Sequence, residues 1–264
     1  MQAQLIALDW GTTTLRAYRL AADARVLQER TLGAGIMQLP TDARLVAGEL
    51  CRDGFELAFD EACGDWLDAE PHLPVIACGM VGSAQGWREA AYCDTPADVS
   101  RLGHSLVSVR SVRGTPLYIV PGVIQRSRLP NVMRGEETQV LGALNNLPAA
   151  AQTNLLIGLP GSHSKWVEVA NQCIQRFDTF MTGELYAVLC KHSILGRTQQ
   201  PGVHFDAAAF DRGVQVALSK EGEIGPLSTV FSARTLGLTG MLNGAEQPDY
   251  LSGLLIGHEL VALD

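Results

Sequence analysis

One strand–turn–strand unit occurs twice in this chain, and that duplication constrains the fold more than any other feature. Residues 4–9 are an apolar strand candidate entering the turn Trp10-Gly11-Thr12-Thr13-Thr14, and residues 15–20 return with alternating character. After the polar turn Ala22-Asp23 a further strand begins at Arg25. The order then recurs. Asn154 to Leu159 is the apolar strand, Pro160-Gly161-Ser162-His163-Ser164 the turn, and Lys165 to Ala170 the return; Asn171-Gln172 turns into a third strand from Cys173 to Met181. Gly11 and Gly161 hold the same place in each copy. Two such units predict two lobes of related build, with a polyphosphate clamped from both sides of a cleft.

The first copy has the chemistry of a phosphate and magnesium site. Asp9 ends its strand and projects a carboxylate into the turn, where it can hold hydrated Mg²⁺ through water. Gly11 allows close approach of the backbone, and the amides and hydroxyls of Thr12, Thr13 and Thr14 are donors suited to phosphate oxygens. Asp, Gly and Thr also serve tight turns for conformational reasons alone, and it is the recurrence that favours a ligand site. Gly161, Ser162 and His163 are the matching phosphate candidates in the second copy. Lys165 either adds a cation there or points into solvent, since strand alternation permits both.

The 264 residues suffice for two lobes with their own cores, and the net charge of −8, with no Lys/Arg run, argues against nucleic acid. Six scattered cysteines without a C-x-x-C pair fit reduced thiols better than a disulfide frame. The first strand starts within a few residues of Met1 and no apolar run spans a bilayer, so a cytoplasmic protein without signal peptide or membrane segment is expected. The standard P-loop and the G-x-S-x-G elbow are both missing.

Between the repeats, helix and strand alternate. A helix is expected over Thr41 to Cys63, capped by Thr41-Asp42 and bent at Gly54. Strands are expected over Leu73 to Cys78, entering a Gly-rich segment from Gly79 to Glu89, and over Leu117 to Val120. Arg134 to Leu144 opens a helix with Glu136 and Glu137 in its first turn. One of these two is the candidate that orients and deprotonates an attacking hydroxyl, Glu137 first and Glu136 close behind; helix-terminus electrostatics is the alternative. Thr182 is read as the cap of the helix after the third strand, and residues 145–153 as the lobe connector.

The two hairpins with their connecting helix resemble the actin, sugar kinase and Hsp70 superfamily. Within it, the strings ACGMVGSAQGW, RGEETQ, LPGSHSKWV and YLSGLLIG closely resemble the 2-dehydro-3-deoxygalactonokinase family along essentially the whole chain. The resemblance implies an α/β fold of two ribonuclease H-like lobes around a cleft. It implies ATP with Mg²⁺ and phosphorylation of the 6-hydroxyl of 2-dehydro-3-deoxy-D-galactonate in D-galactonate breakdown; the sequence leaves the oligomeric state open, a homodimer among the options. Residues 1–148 would form the sugar-acid lobe and 149–264 the nucleotide lobe. Superfamily members carry more chain after the position of Gly257, so the second lobe is expected to be incomplete near the adenine pocket. The substrate's carboxylate calls for an arginine: Arg88 first, beside a Trp87 able to pack on the sugar, then Arg16 and Arg134. Ser83, Gln85, Thr182 and Glu184 are further substrate candidates on motif segments. A phosphohydrolase of the same fold and a non-catalytic sugar-acid sensor remain alternatives.

Overall fold

A computed structural model describes residues 2–148, 153–200 and 202–263. The chain divides into two compact units, Met1–Ile157 with Val167–Phe177, and Gly158–Trp166 with Asp178–Asp264. Of the expected connector 145–153, residues 149–152 lie outside the described residues.

Unit 1 begins with β1 (Leu5–Trp10), β2 (Leu15–Leu20) and β3 (Val26–Leu32), followed by the short β4 (Arg44–Val46) and β5 (Glu49–Cys51) and by α1 (Gly54–Ala69). Then come β6 (Val75–Cys78), β7 (Cys93–Asp94), β8 (Ala97–Asp98), β9 (Val107–Arg110), β10 (Pro116–Ile119), β11 (Val123–Gln125), β12 (Asn131–Met133) and α2 (Glu136–Asn145). Its main sheet has the order β3-β2-β1-β6-β10-β9. β1, β2 and β3 pair antiparallel, and β6 joins β1, and β10 joins β6, in parallel. Three antiparallel strands extended by parallel ones are the ribonuclease H-like arrangement expected from the resemblance. Period-2 alternation turns Ile6, Leu8 and Trp10 into the core and leaves Asp9 on the opposite face, because successive side chains of a strand alternate.

The expected helix over 41–63 is corrected. Residues 44–51 form the β4–β5 hairpin, and α1 starts only at Gly54. Ala47 and Gly48 both adopt left-handed backbone angles (φ 49° and 86°), the geometry of a two-residue hairpin turn. Asp53, not Thr41-Asp42, caps the helix, its Oδ1 accepting from the Phe55 and Glu56 amides at 2.8 and 3.1 Å. Gly54 is thus the first helical residue and bends nothing.

The second copy of the repeat is β13 (Asn154–Leu159), β14 (Ser164–Ala170) and β15 (Cys173–Phe180), in the sheet order β13-β14-β15-β8. Of this copy, residues 158–166 and 178–180 belong to unit 2, which also holds α3 (Thr182–His192), α4 (Ala207–Leu218), α5 (Pro226–Thr229), α6 (Ser232–Leu238) and α7 (Gln247–Val261). Its core joins Tyr250, Leu251, Leu254 and Leu255 of α7 to Ala209 and Ala217 of α4. No helix among the described residues is long and apolar enough to cross a membrane.

Candidate active site

Each repeat turn is sealed from behind by the segment that follows its third strand. In unit 1, Gly11 N–H closes the turn on the Thr14 carbonyl at 2.9 Å, and the amides of Ile36 and Met37 donate to the carbonyls of Gly11 and Thr12 at 3.0 Å. Gly35 lies so close that a Cβ there would sit 2.3 Å from the carbonyl carbon of Thr13. In unit 2, Glu184 N–H donates to the Ser162 carbonyl at 3.0 Å, and a Cβ on Gly183 would sit 2.5 Å from the Gly161 oxygen. The duplication therefore extends past the hairpins to the glycine that closes each turn, and it leaves Thr12, Thr13, Ser162 and His163 exposed. Gly35→Ala and Gly183→Ala are each expected to cost about 1–3 kcal/mol on chemical denaturation through overpacking. Gly142→Ala, at an exposed helical site with open space around it, should stabilise by about 0.5–1 kcal/mol. Equal effects at all three glycines would sink this account of the turns.

Acidic groups of unit 1 gather where β1 and β6 end. Asp9 and Cys78 are register partners across the parallel pair, and a Cβ on Gly135 would lie 3.3 Å from the Gly79 Cα, which brings the start of α2 to the same place. Burial, and then the charges of Asp9, Glu137 and Glu136, push the Cys78 thiol up to about 12, so all three carboxylates act on one point. Asp9 is ion-paired through Oδ2 with Arg16 Nη1 at 2.9 Å, directly across the hairpin. Arg16 is thereby engaged with Asp9.

Glu136 and Glu137 differ sharply in environment. Glu136 is partly exposed and accepts from the Arg134 amide at 3.0 Å. Glu137 is 0% exposed; its carboxylate accepts the Gly135 amide at 2.7 and 2.9 Å and the Thr138 hydroxyl at 3.2 Å. Burial raises its pKa from 4.5 to about 7 despite these donors. Trp87 is among core rings: it stacks on Phe55 at 6.0 Å and meets Trp10 and Phe59 at 5.9 and 5.7 Å. Aromatic packing holds the half-buried ring in this position. Gln85 and Arg88 are exposed and Ser83 is buried.

In unit 2, Glu259 near the end of α7 is a hub that sequence reading missed. Its Oε1 accepts from Ser164 Oγ at 2.8 Å and Trp166 Nε1 at 2.6 Å, and its Oε2 accepts from the Thr182 hydroxyl. Thr182 is therefore the first helical residue bonded to α7, while Met181 holds the cap position expected of Thr182. The one available signal was the spacing of Ser252, Ile256 and Glu259, which places an acid on the same helical face as those residues. His163 pairs with Glu184 across the turn, and Lys165 is buried (5% exposed) rather than pointed into solvent. A cavity of about 240 Å³ adjoins this turn, walled by Pro160, Trp166, Tyr186, Leu255 and Ile256 with Glu259 on its lining. Among the described residues no three His, Cys, Asp or Glu side chains form a metal cage.

A ribonuclease H-like α/β unit, a duplicated turn bearing glycine and hydroxyl side chains, and carboxylates at the strand ends define the class of the actin, sugar kinase and Hsp70 superfamily. The chain belongs to the 2-keto-3-deoxy-galactonokinase family, whose pattern matches residues 9–264. It is 37% identical over 264 residues to the 2-dehydro-3-deoxygalactonokinase of Escherichia coli (strain K12), covering 100% of this chain and 81% of that protein. It is 36% identical over 255 residues to a Rhizobium meliloti (strain 1021) protein named as a probable 2-dehydro-3-deoxygalactonokinase, covering 96% of this chain and 78% of that protein. The crystal structure of a Sinorhizobium meliloti protein assigned as a 2-dehydro-3-deoxygalactonokinase superposes with a TM-score of 0.79 at 34% identity, covering 98% of this chain and 81% of that one.

Proposed function

We propose that the chain transfers the γ-phosphoryl group of ATP to the 6-hydroxyl of 2-dehydro-3-deoxy-D-galactonate, a step in D-galactonate catabolism. The observation that carries this reading is the convergence of the β1 and β6 ends, with Asp9, on the helix start that carries Glu136 and Glu137, in a lobe whose Thr12-Thr13 turn is exposed, in a chain of this family. Phosphoryl transfer asks the protein mainly for positioning and charge compensation.

In this reading the amides and hydroxyls of Gly11 to Thr14 bind phosphate oxygens in unit 1, and Gly161, Ser162 and His163 do so in unit 2. Asp9 is a single carboxylate of the kind that holds hydrated Mg²⁺, which when bound neutralises charge on the transferring phosphates. Glu136, partly open where Glu137 is sealed, is the carboxylate that meets the sugar hydroxyl. The hydroxyl oxygen bonds to the γ-phosphorus as the bond to the β,γ-bridging oxygen breaks; the proton passes to Glu136 and ADP leaves. Residues 1–148 would serve the sugar acid and 149–264 the nucleotide, the largely apolar cavity beside the second turn suiting a nucleoside. An ATP-dependent catabolic step belongs in the cytoplasm.

The test is ADP release from MgATP with 2-dehydro-3-deoxygalactonate, with its gluconate epimer and with no acceptor. Turnover that requires the galactonate acid is expected. ADP release independent of any acceptor would replace the kinase reading with a phosphohydrolase.

A further inference from the structure

Unit 1 buries a cation for which the described residues provide no anion. Arg134, 9% exposed, donates from Nη2 to the Ala90 carbonyl at 2.9 Å, and its guanidinium carbon lies 4.2 Å from the centre of the Tyr92 ring. Its Nε and Nη1 groups are sealed from solvent and, among the described residues, have no hydrogen-bond partner. Gly82 packs directly on the guanidinium, where a Cβ would lie 2.9 Å from Nη1. The next residue, Ser83, is 6% exposed, and its Oγ is also buried without a partner among the described residues. Unpaired buried charge is strongly disfavoured, and an arginine does not escape by losing its proton.

We propose that Arg134, supported by Ser83, is the specificity-determining receptor for the carboxylate of the sugar acid. The inference rests on the kinase reading for the identity of the acid, and it selects one of three arginines on physical grounds. Arg16 is ion-paired with Asp9, and Arg88 is exposed, where an ion pair adds little. Arg134 adjoins Gly135 and Glu136, so a carboxylate bound there is anchored beside the helix start that carries the proposed base. Its free donors are desolvated in advance, and a carboxylate would pair with them without first displacing bulk water. Because they are covered, the acid reaches them only by parting residues 82–90 from Arg134, and that segment includes Trp87.

The experiment compares 2-dehydro-3-deoxygalactonate with its neutral C1 carboxamide on the wild-type chain and on Arg134→Gln, Arg134→Lys and Ser83→Ala. The wild type should prefer the acid by about 10²-fold or more in kcat/KM, as expected of a site built to pair a charged group. Arg134→Gln should erase that preference mainly through KM for the acid, leaving KM for ATP within a few-fold. Arg134→Lys should restore part of the preference, and Ser83→Ala should reduce it about tenfold. Acid binding should also shift tryptophan fluorescence in the wild type but not in Arg134→Gln. An undiminished acid preference in Arg134→Gln overturns the proposal, as does an unchanged preference in Ser83→Ala should Arg134→Gln not fold. If the wild type binds the acid in calorimetry without phosphorylating it and Arg134→Gln does not bind it, the kinase reading falls and the carboxylate site stands. No binding by the wild type overturns both.

Discussion

Glu136→Gln is expected to lower kcat about 10²- to 10⁴-fold, the range for loss of a positioned proton acceptor, with KM for both substrates and the melting temperature little changed. The neutral amide still accepts from the Arg134 amide through its oxygen, so the first turn of α2 keeps its shape. Glu137→Gln should behave differently. Its group is fully enclosed and bonded to Gly135 and Thr138, so a loss of no more than about tenfold in kcat is expected from disturbed positioning. Its signature is in stability. The folded pKa, raised from 4.5 to about 7, means the native state holds a proton that the unfolded chain has lost between those values. The stability contributed by protonated Glu137 is fully present below about pH 4.5 and is lost as pH rises through about 7. Glu137→Gln, which cannot ionise, should therefore exceed the wild type by about 1–3 kcal/mol at pH 8, after allowance for one weakened hydrogen bond, and match it near pH 4.5. Denaturant titrations of both proteins at the two pH values check this, with steady-state kinetics alongside. If Glu137→Gln loses 10³-fold in kcat and Glu136→Gln loses almost nothing, the two roles are exchanged.

Glu259→Ala should be the most damaging single change to unit 2. It takes the acceptor from the part-buried Trp166 Nε1 and Thr182 hydroxyl and leaves Ser164 Oγ only the Phe180 carbonyl at 3.4 Å; a buried donor left unmade costs about 1–3 kcal/mol, a part-buried one less. A total loss of about 3–5 kcal/mol is expected, much of the stability of an ordinary domain. Glu259→Gln should cost only about 1 kcal/mol, because its oxygen still accepts from Ser164 and Trp166 and the Thr182 hydroxyl can turn to accept from the new amide. Ser164 ends the second turn, Thr182 precedes the Gly183 that closes it, and both are bonded to Glu259, so Glu259→Gln should also raise KM for ATP while KM for the sugar acid stays constant. Unfolding followed by tryptophan fluorescence measures the first effect and initial rates the second. A Glu259→Ala protein with wild-type stability would show that the hub is incidental.

The duplicated hairpins, the acid at the end of β1 and the acidic start of α2 were legible because each is written locally. Period-2 alternation, turn residues and a helix's first turn depend on neighbours a few positions apart. The stretch over 41–63 marks the limit of that reading. Its short apolar runs fit either period, and what decided for a hairpin was a pair of left-handed residues and a cap at Asp53, twelve positions after the expected start. Tertiary structure alone decided the rest. Gly35 and Gly183 seal turns far from them in sequence, Arg16 is drawn to Asp9, Trp87 joins the core rings, Glu137 is enclosed while its neighbour stays open, and Glu259 ties α7 to β14 and α3. The physical reason is common to all of them. Burial and hydrogen bonding join residues that the fold brings together from distant positions, and such pairings leave no period in the sequence from which they could be read.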